Sequence, residues 1–288
     1  SGDSISIYPP QNVPQHIIDK IVDVTYRIAL ELKVIGMINI QFIEFRDELY
    51  IIEVNPRSSR TVPYITKVTN VPVIDIATNI MLGKTLKEMG YSTGIAPQTN
   101  TVAIKVPVFS TEKLPQVEVS LGPEMRSTGE VLGVGQNFHE AMYKGFTAAG
   151  TTIPKAGSTI LVTVREMDKE NFLPIAKKFH ELGCKFIATA GTAKLLEDND
   201  IPVQVAKKIS EGVPNILDVI RSGMIDLIID IPKKGNDIHS DGFKIRRTAI
   251  ECDVSIMTSL DTVKALVDVM EHRYTPDTVE VISLSDIK

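Results

Sequence analysis

The first residues with the types and spacing for chemistry are side-chain oxygen donors on two predicted strands. Gln41 lies in the apolar, β-branched segment 37–45, and Glu53 lies in a similar segment, 49–54. Asn55 follows Glu53 by two residues, so the alternation of side chains along a strand places both on one face. One carboxylate and two amide oxygens suit Mg²⁺ bound to nucleotide phosphates better than Zn²⁺, which favours His or Cys. We therefore predict a magnesium and nucleotide site on this face.

The predicted hairpin register brings donors from the two strands together. The polar residues 46–48 indicate a three-residue loop, in which Phe45 faces Leu49. Counting back along both strands then places Gln41 opposite Glu53, with both side chains on one face.

Two arginines follow the second strand, which Pro56 is expected to end. Arg57 and Arg60 carry planar guanidinium groups that can contact phosphoryl or carboxylate oxygens through two hydrogen bonds each. Beside a metal they would support phosphoryl transfer, which depends on positioning and charge neutralisation more than on a covalent nucleophile. The alternative is a solvated polar strand face with exposed arginines, and the joint occurrence of the five residues favours the site.

A second candidate site lies in the C-terminal half. Lys169 is expected to open the helix after the first strand there, Thr189 and Thr192 to follow the second strand, and Lys208 to end the third. The carboxyl ends of parallel strands share one sheet edge, so the four should converge. Gly191 would let backbone N–H groups at a helix N-terminus approach an anion. The pattern predicts a phosphate site, and the alternative is exposed lysines beside an ordinary strand-to-helix turn.

Periodicity predicts the elements that position these residues. The N-terminal half should contain a helix within 14–35, the hairpin, a partly helical stretch over 61–83, a loop over 84–100, and strands within 101–109 and 116–136. The C-terminal half alternates strands at 159–164, 184–189, 203–207, 225–230 and 254–258 with helices at 169–182, 192–199, 215–222, 244–252 and 260–272. Such alternation predicts a parallel sheet covered by helices on both faces. We predict two domains, 1–153 and 154–288.

Composition limits the partners. The formal charge of −5 leaves no basic surplus for nucleic acid, and no apolar run reaches the roughly 18 to 20 residues that span a bilayer. A cytoplasmic protein is therefore expected. Cys184 and Cys252 have no partners at metal-ligand spacing, and both are expected to be buried packing residues.

Several longer motifs point to one family. They are Ser1-Gly2-Asp3-Ser4, Asn39-Ile40-Gln41-Phe42, Glu53-Val54-Asn55-Pro56-Arg57, Ser59-Arg60-Thr61-Val62-Pro63 and the segment LGPEMRSTGE at 121–130. With them the chain resembles, over nearly its whole length, the large chain of the carbamoyl-phosphate synthetase family. The resemblance implies an α/β chain in two parts: the C-terminal part of an ATP-grasp α+β domain, then a Rossmann-like, methylglyoxal-synthase-like regulatory domain.

The resemblance also implies ATP and Mg²⁺ or Mn²⁺ as cofactors. By this resemblance, Gln41, Glu53 and Asn55 hold the metal ions, Gln41 and Glu53 also approach the nucleotide, and Ser1 lies at its edge.

Arg57 and Arg60 would meet the transferred phosphoryl group. In that family the unit phosphorylates carbamate to carbamoyl phosphate, for pyrimidine or arginine biosynthesis, in an enzyme that also has a glutamine amidotransferase small subunit and can form homo-oligomers. The chain is then expected to be a fragment of such a ligase, inactive alone because the smaller ATP-grasp lobe precedes its first residue.

The four residues of the second site match the family's effector site for nucleotide monophosphates such as UMP or IMP. Asp230 and Pro232 depart from the Asn and Thr of enteric members, which leaves the effector open. A carboxylate there could accept hydrogen bonds from a sugar or base but would repel a phosphate. An ornithine site carries over incompletely: Asp3 fits, whereas Val106 and Ile256 replace the expected Glu and Tyr.

Two other function classes remain open. Methylglyoxal synthase needs a carboxylate base in a Gly-Gly-Asp segment, which the stretch at 210–215 lacks, and Asp218 falls inside the following helix. The second alternative is a stand-alone regulatory module that binds a phosphorylated metabolite without catalysis.

Overall fold

The computed structural model describes residues 2–110, 124–232, 239–284 and 287. The chain divides into two compact units. The first, called the sheet unit, comprises Ser1–Ile5 and Ile104–Glu280; the second, called the hairpin unit, comprises Ser6–Ala103 and Val281–Lys288. The domain boundary near residue 153 stays a prediction.

The hairpin unit combines short strands with three helices among its described residues. In chain order these are β1 (Ser6–Tyr8), α1 (Gln15–Glu31), β2 (Asn39–Phe45), β3 (Glu48–Asn55), α2 (Thr61–Thr69) and α3 (Val73–Met81). Pro14 precedes α1, where its missing N–H costs nothing. The helix ends earlier than predicted because Lys33 adopts a left-handed backbone, with φ 49°. Asn70, with φ 55°, separates α2 from α3 in the same way.

The sheet unit begins with a strand pair covered by a helix. The elements are β4 (Val102–Val108), which starts in the hairpin unit, β5 (Gly129–Gly135) and α4 (Phe138–Ala148). A Cβ on Gly133 would lie 2.2 Å from the carbonyl oxygen of Ala141, so α4 packs directly on the β5 backbone. Part of the predicted strand region 116–136, residues 116–123, lies outside the described residues.

The rest of the sheet unit confirms the predicted parallel sheet. Its elements are β6 (Thr159–Thr163), α5 (Lys169–Glu181), β7 (Lys185–Thr189), α6 (Ala190–Glu197), β8 (Val203–Ala206), α7 (Ile216–Arg221), β9 (Leu227–Asp230), α8 (Asp241–Glu251), β10 (Ser255–Met257) and α9 (Leu260–Glu271). All neighbours are parallel, in the order β10-β9-β6-β7-β8. The mixed α/β fold class is therefore confirmed.

Both faces of this sheet are covered. Ile160, Leu161 and Val162 of the central strand β6 are all fully buried although their side chains alternate between faces. Leu161 packs on one face with Ile216 and other side chains from α7 and α8. This double burial fixes the carboxyl ends of the strands, where the second site is predicted.

Three further observations concern the other composition-based expectations. No helix in the described ranges is long and apolar enough to cross a membrane. Cys184 is buried, and burial raises the pKa of its thiol to about 11. The expectation for Cys252 is wrong: it is exposed because it follows the end of α8 instead of lying in a strand.

Candidate functional sites

The turn of the β2–β3 hairpin differs from the prediction. Arg46 and Asp47, with φ of 53° and 67°, form a two-residue turn, a conformation that matches the twist of the flanking strands. Phe45 consequently pairs with Glu48, and the predicted pairing of Phe45 with Leu49 is wrong.

A β-bulge nevertheless restores the predicted pair in the site. Phe42 pairs with Ile51, Gln41 pairs with Glu53, and Ile52 is the extra residue between them. The loop was predicted one residue too long, and the bulge adds one residue to β3. The two differences cancel, so the predicted Gln41–Glu53 pairing is confirmed.

The next pair along the strands adds a residue that the sequence analysis missed. Asn39 pairs with Asn55, two residues from the Gln41–Glu53 pair, so the four side chains share one face. The sequence could have indicated this residue, because Asn39 precedes Gln41 by two residues and side chains at that spacing lie on the same face of a strand. The face thus carries one carboxylate and three amides. The described ranges hold no group of three or more His, Cys, Asp or Glu residues that could bind a metal ion.

The arginines lie next to this face in the chain. Arg57 donates from Nη2 to Oδ1 of Asn55 at 3.4 Å and from Nη1 to the carbonyl of Ser58 at 2.8 Å. Arg60 immediately precedes α2 and is exposed, as are Arg57 and Glu53. The structure therefore brings Arg57 to Asn55, and both arginines are exposed residues.

The donor set on the hairpin fits a magnesium-bound nucleotide. Carboxylate and amide oxygens are hard ligands, and two exposed arginines follow in the chain. We call Gln41, Glu53, Asn55, Arg57 and Arg60 the hairpin site. Ser1 lies outside the described residues.

The segment after Ser1 is anchored within the sheet unit. The Asp3 carboxylate accepts the backbone N–H groups of Arg126 and Ser127, both at 2.8 Å. Burial alone would raise the pKa of Asp3, but these hydrogen bonds hold it below its usual value. Lys105, only 3% exposed, lies 3.5 Å from the carbonyl oxygen of Gly2.

Three of the four residues predicted for the second site, Lys169, Thr189 and Thr192, lie where β7 meets α6. Thr189 is the last residue of β7 and precedes the first turn of α6. A Cβ on Gly191 would lie 3.8 Å from Nζ of Lys169, so that ammonium lies beside the helix N-terminus. Thr192 is 2% exposed, and its Oγ1 accepts the backbone N–H of Val164 at 3.3 Å.

The two lysines of this site differ in their surroundings. Nζ of Lys169 is 2.6 Å from a carboxylate oxygen of Glu166, whose side chain is 88% exposed. Lys208 is exposed and lies two residues beyond Ala206, the last residue of β8, instead of ending the strand. Its backbone N–H donates to Glu211 at 2.8 Å. We call Lys169, Thr189, Thr192 and Lys208 the sheet-edge site.

An ion pair at the same edge was missed by the sequence analysis. Asp230, at the end of β9, accepts from Nη1 of Arg246 at 2.6 Å and from Thr163 Oγ1 at 2.9 Å. Asp230 and Arg246 are 2% and 3% exposed. Asp230 is thus a buried carboxylate already neutralised by an arginine. No sequence pattern indicates that these two residues, 16 positions apart and on different elements, are in contact.

A cavity of about 550 Å³ lies in the sheet unit, away from the sheet-edge site. It is at the opposite ends of β6, β7 and β8, and its lining includes Thr159, Cys184, Lys185, Gln204 and Met224. None of the predicted site residues lines it.

Comparisons with known proteins agree with the prediction of an ATP-grasp part followed by a methylglyoxal-synthase-like domain. Residues 1–89 match the family model described as "Carbamoyl-phosphate synthase L chain, ATP binding domain", and residues 171–258 match the "MGS-like domain".

Curated relatives extend the match to nearly the whole chain. The carbamoyl phosphate synthase large chain of Clostridium botulinum (strain Kyoto / Type A2) is 54% identical over 286 residues, which is 99% of this chain and 27% of the relative. The corresponding protein of Clostridium perfringens (strain 13 / Type A) is 54% identical over 99% of this chain and 27% of its own length. A solved biotin carboxylase domain of a single-chain bacterial carboxylase has a TM-score of 0.42 at 16% identity, over 50% of this chain and 39% of that one, which is too distant for any inference.

The chain spans about a quarter of the length of these curated relatives. Over that span the predicted resemblance is confirmed: the chain corresponds to the C-terminal portion of carbamoyl phosphate synthase large chains, with the end of an ATP-grasp ATP-binding domain followed by an MGS-like domain.

Proposed function

We propose that this sequence supplies part of the site at which a carbamoyl phosphate synthase large chain phosphorylates carbamate with ATP. The main support is the bulged register of the hairpin, which pairs Gln41 with Glu53 and Asn39 with Asn55 on one face. The similarity to synthase large chains supports the choice of reaction.

In this proposal, Gln41, Glu53 and Asn55 hold Mg²⁺ or Mn²⁺, and Gln41 and Glu53 also approach ATP. A bound divalent metal would neutralise phosphate oxygens. Ser1 is proposed at the edge of the nucleotide.

Arg57 and Arg60 are proposed to contact the transferred phosphoryl group. The hydrogen bonds of Arg57 to Asn55 and Ser58 orient its guanidinium, and an oriented donor loses less entropy when it binds an anion. Both arginines are exposed residues, which is consistent with contact to a ligand.

The wider setting is part of the same proposal. The complete enzyme would be a cytoplasmic ligase of pyrimidine or arginine biosynthesis that has a glutamine amidotransferase small subunit and can form homo-oligomers. The net charge of −5 argues against nucleic acid as a partner.

Glu53→Gln in a complete large chain carrying this sequence tests the proposal. Glu53 is the one carboxylate among the proposed metal ligands, so its neutralisation should lower carbamoyl phosphate synthesis by about 100-fold or more. Glutamine hydrolysis should stay largely intact, because it takes place in the other subunit.

Glu48→Gln is the matched control, since Glu48 is also an exposed carboxylate on β3 but lies beside the turn. Synthesis within about twofold of wild type in Glu53→Gln would contradict the proposal.

We further propose that the sheet-edge site binds a phosphorylated effector, such as a nucleoside monophosphate. The supporting observation is the position of the Lys169 ammonium beside Gly191 in the first turn of α6, where backbone N–H groups and a cation can meet one anion. The module without catalysis, left open above, would use the same site.

Lys208→Ala tests this second proposal in the chain itself. Loss of a charge-assisted contact to phosphate should weaken UMP binding by roughly 10 to 150-fold in calorimetry. Lys207→Ala is the control, because Lys207 is also an exposed lysine but lies outside the proposed site. Equal affinity in wild type and Lys208→Ala would remove Lys208 from the site.

A further inference from the structure

The cavity of about 550 Å³ in the sheet unit is bounded by one face of the parallel sheet. Thr159 of β6 is in register with Lys185 of β7, and Ile187 of β7 is in register with Gln204 of β8. Partners in a parallel ladder share a face, and so do side chains two residues apart on one strand. All four residues line the cavity, so three strands contribute one continuous side of it.

The helix on this face is short. Ile187 belongs to one core cluster with Ile216 and Ile220 of α7, so α7 covers the same face. The six residues of α7 make a helix about 9 Å long, whereas the five residues of β7 span about 16 Å. Met224 follows the helix, is 58% exposed and lines the cavity. Part of the sheet face therefore stays open beside an apolar side chain.

The polar side chains of the cavity are available to a ligand. Among the residues that the structure describes, the side chains of Lys185 and Gln204 have no hydrogen-bond or ion-pair partner. No Asp or Glu lines the cavity within the described ranges. The carboxylate of Asp226, which is not a lining residue, accepts the backbone N–H of Thr159 at 2.7 Å. The cavity thus offers one ammonium, with an amide and a hydroxyl group beside it.

This composition selects a class of ligand. The volume lies within the range typical of small-molecule sites, and the lining combines these polar groups with apolar side chains such as Ile187, Val203 and Met224. One ammonium balances the single charge of a carboxylate, whereas a phosphate ester carries a charge of about −1.5 to −2. The apolar side chains would contact the uncharged part of the same molecule.

We propose that this cavity binds a small organic carboxylate with an apolar body. In sheets of this kind ligands bind outside the carboxyl ends of the strands, which is where the sheet-edge site lies. The cavity is at the amino ends of β6, β7 and β8, so it is a separate site. The inference does not depend on the effector proposed above.

Phenylacetate is a suitable probe, and phenylacetamide is its neutral counterpart of nearly the same shape. NMR titration of the isotope-labelled chain would follow the backbone amide signals. Phenylacetate should shift the signals of Lys185, Gln204 and Met224. Phenylacetamide should bind about tenfold more weakly or worse, because it lacks the charge that the ammonium contacts.

Three variants identify the groups responsible. Lys185→Gln should weaken phenylacetate binding by about tenfold or more. Lys207→Gln is the matched control, because Lys207 is an exposed lysine beyond the other end of β8, and it should leave the affinity unchanged. Met224→Ala removes an apolar contact from an exposed position and should weaken binding by about threefold.

The outcomes decide this inference separately from the proposed effector function. Equal affinity in wild type and Lys185→Gln, or shifts confined to residues outside the cavity, overturns the inference. Absence of phenylacetate binding at millimolar concentration also overturns it. Competition between phenylacetate and UMP would place the probe in the sheet-edge site and overturn it as well. Failure of UMP to bind, with phenylacetate bound in the cavity, overturns the effector proposal alone.

Discussion

The hairpin site and the sheet-edge site have opposite structural settings. On the hairpin, Glu53, Arg57 and Arg60 are exposed, and apolar neighbours such as Phe45 and Ile52 are each 56% exposed. In the sheet-edge site Lys208 is exposed, but Thr192 and the neighbouring Asp230–Arg246 pair are almost completely buried. The backbone register therefore sets the geometry of the first site, whereas side-chain packing sets that of the second.

Because of this difference, we expect removal of a charge to affect mainly ligand binding at the hairpin site and mainly protein stability inside the sheet unit. A charge on the hairpin is solvated, so its removal should affect ligand contacts and leave folding nearly unchanged. Inside the sheet unit, Asp230 and Arg246 form a buried ion pair, so removal of one charge weakens the compensation of the other.

Equivalent substitutions of two arginines should show the largest contrast. Arg246→Met should lower the free energy of unfolding of the sheet unit by about 3 to 5 kcal/mol, because it leaves Asp230 without its guanidinium. Arg57→Met should change stability by less than about 0.5 kcal/mol. Urea denaturation, with hydrogen exchange at the β9 amides to follow the sheet unit, measures both.

The contrast fails if the two variants lose similar stability. A loss of less than about 1 kcal/mol in Arg246→Met would mean that water reaches the Asp230–Arg246 pair and screens it.

The sequence predicted most of the fold because its signals are local. Apolar segments separated by turn residues predict the five strands and the helices between them. Strands and helices that alternate in this way form a parallel sheet with helices on both faces. The Gln41–Glu53 pairing was predicted correctly although the predicted hairpin loop was one residue too long. The predicted and observed pairings agree only because the bulge at Ile52 adds one residue to β3.

What the sequence could not show depends on tertiary packing. Arg246 reaches Asp230 because α8 packs beside β9, and no sequence period encodes that distance. The exposure of Cys252 likewise follows from where α8 ends. The expectation that Asp230 would repel a phosphate took the carboxylate as uncompensated, and its partner became visible only in the folded chain.

A smaller effect is expected from the histidine stack in the sheet unit. The rings of His139 and His272 stack at 3.9 Å between centroids. Burial, followed by the charge of His272, lowers the pKa of His139. The unfolded chain then takes up a proton more readily, so stability is fully present well above pH 6.5 and is lost as pH falls through about 6.5 toward the lower folded pKa.

Urea denaturation at pH 7.5 and pH 5.5 tests this in wild type and His139→Gln. Wild type should lose more stability on acidification than the variant. His180→Gln, on the exposed side of α5, is the matched control and should behave as wild type. Equal losses in wild type and His139→Gln would show that the stack does not contribute to the pH dependence.

The most direct test of the account is calorimetric titration of this chain with UMP and with uridine. All four residues of the proposed sheet-edge site belong to one compact unit, so we expect the site to function in the chain as it stands. The account predicts that UMP binds and uridine does not, because the lysines and the N–H groups of α6 act on the phosphate. Equal binding of the two, or binding of neither, would contradict it.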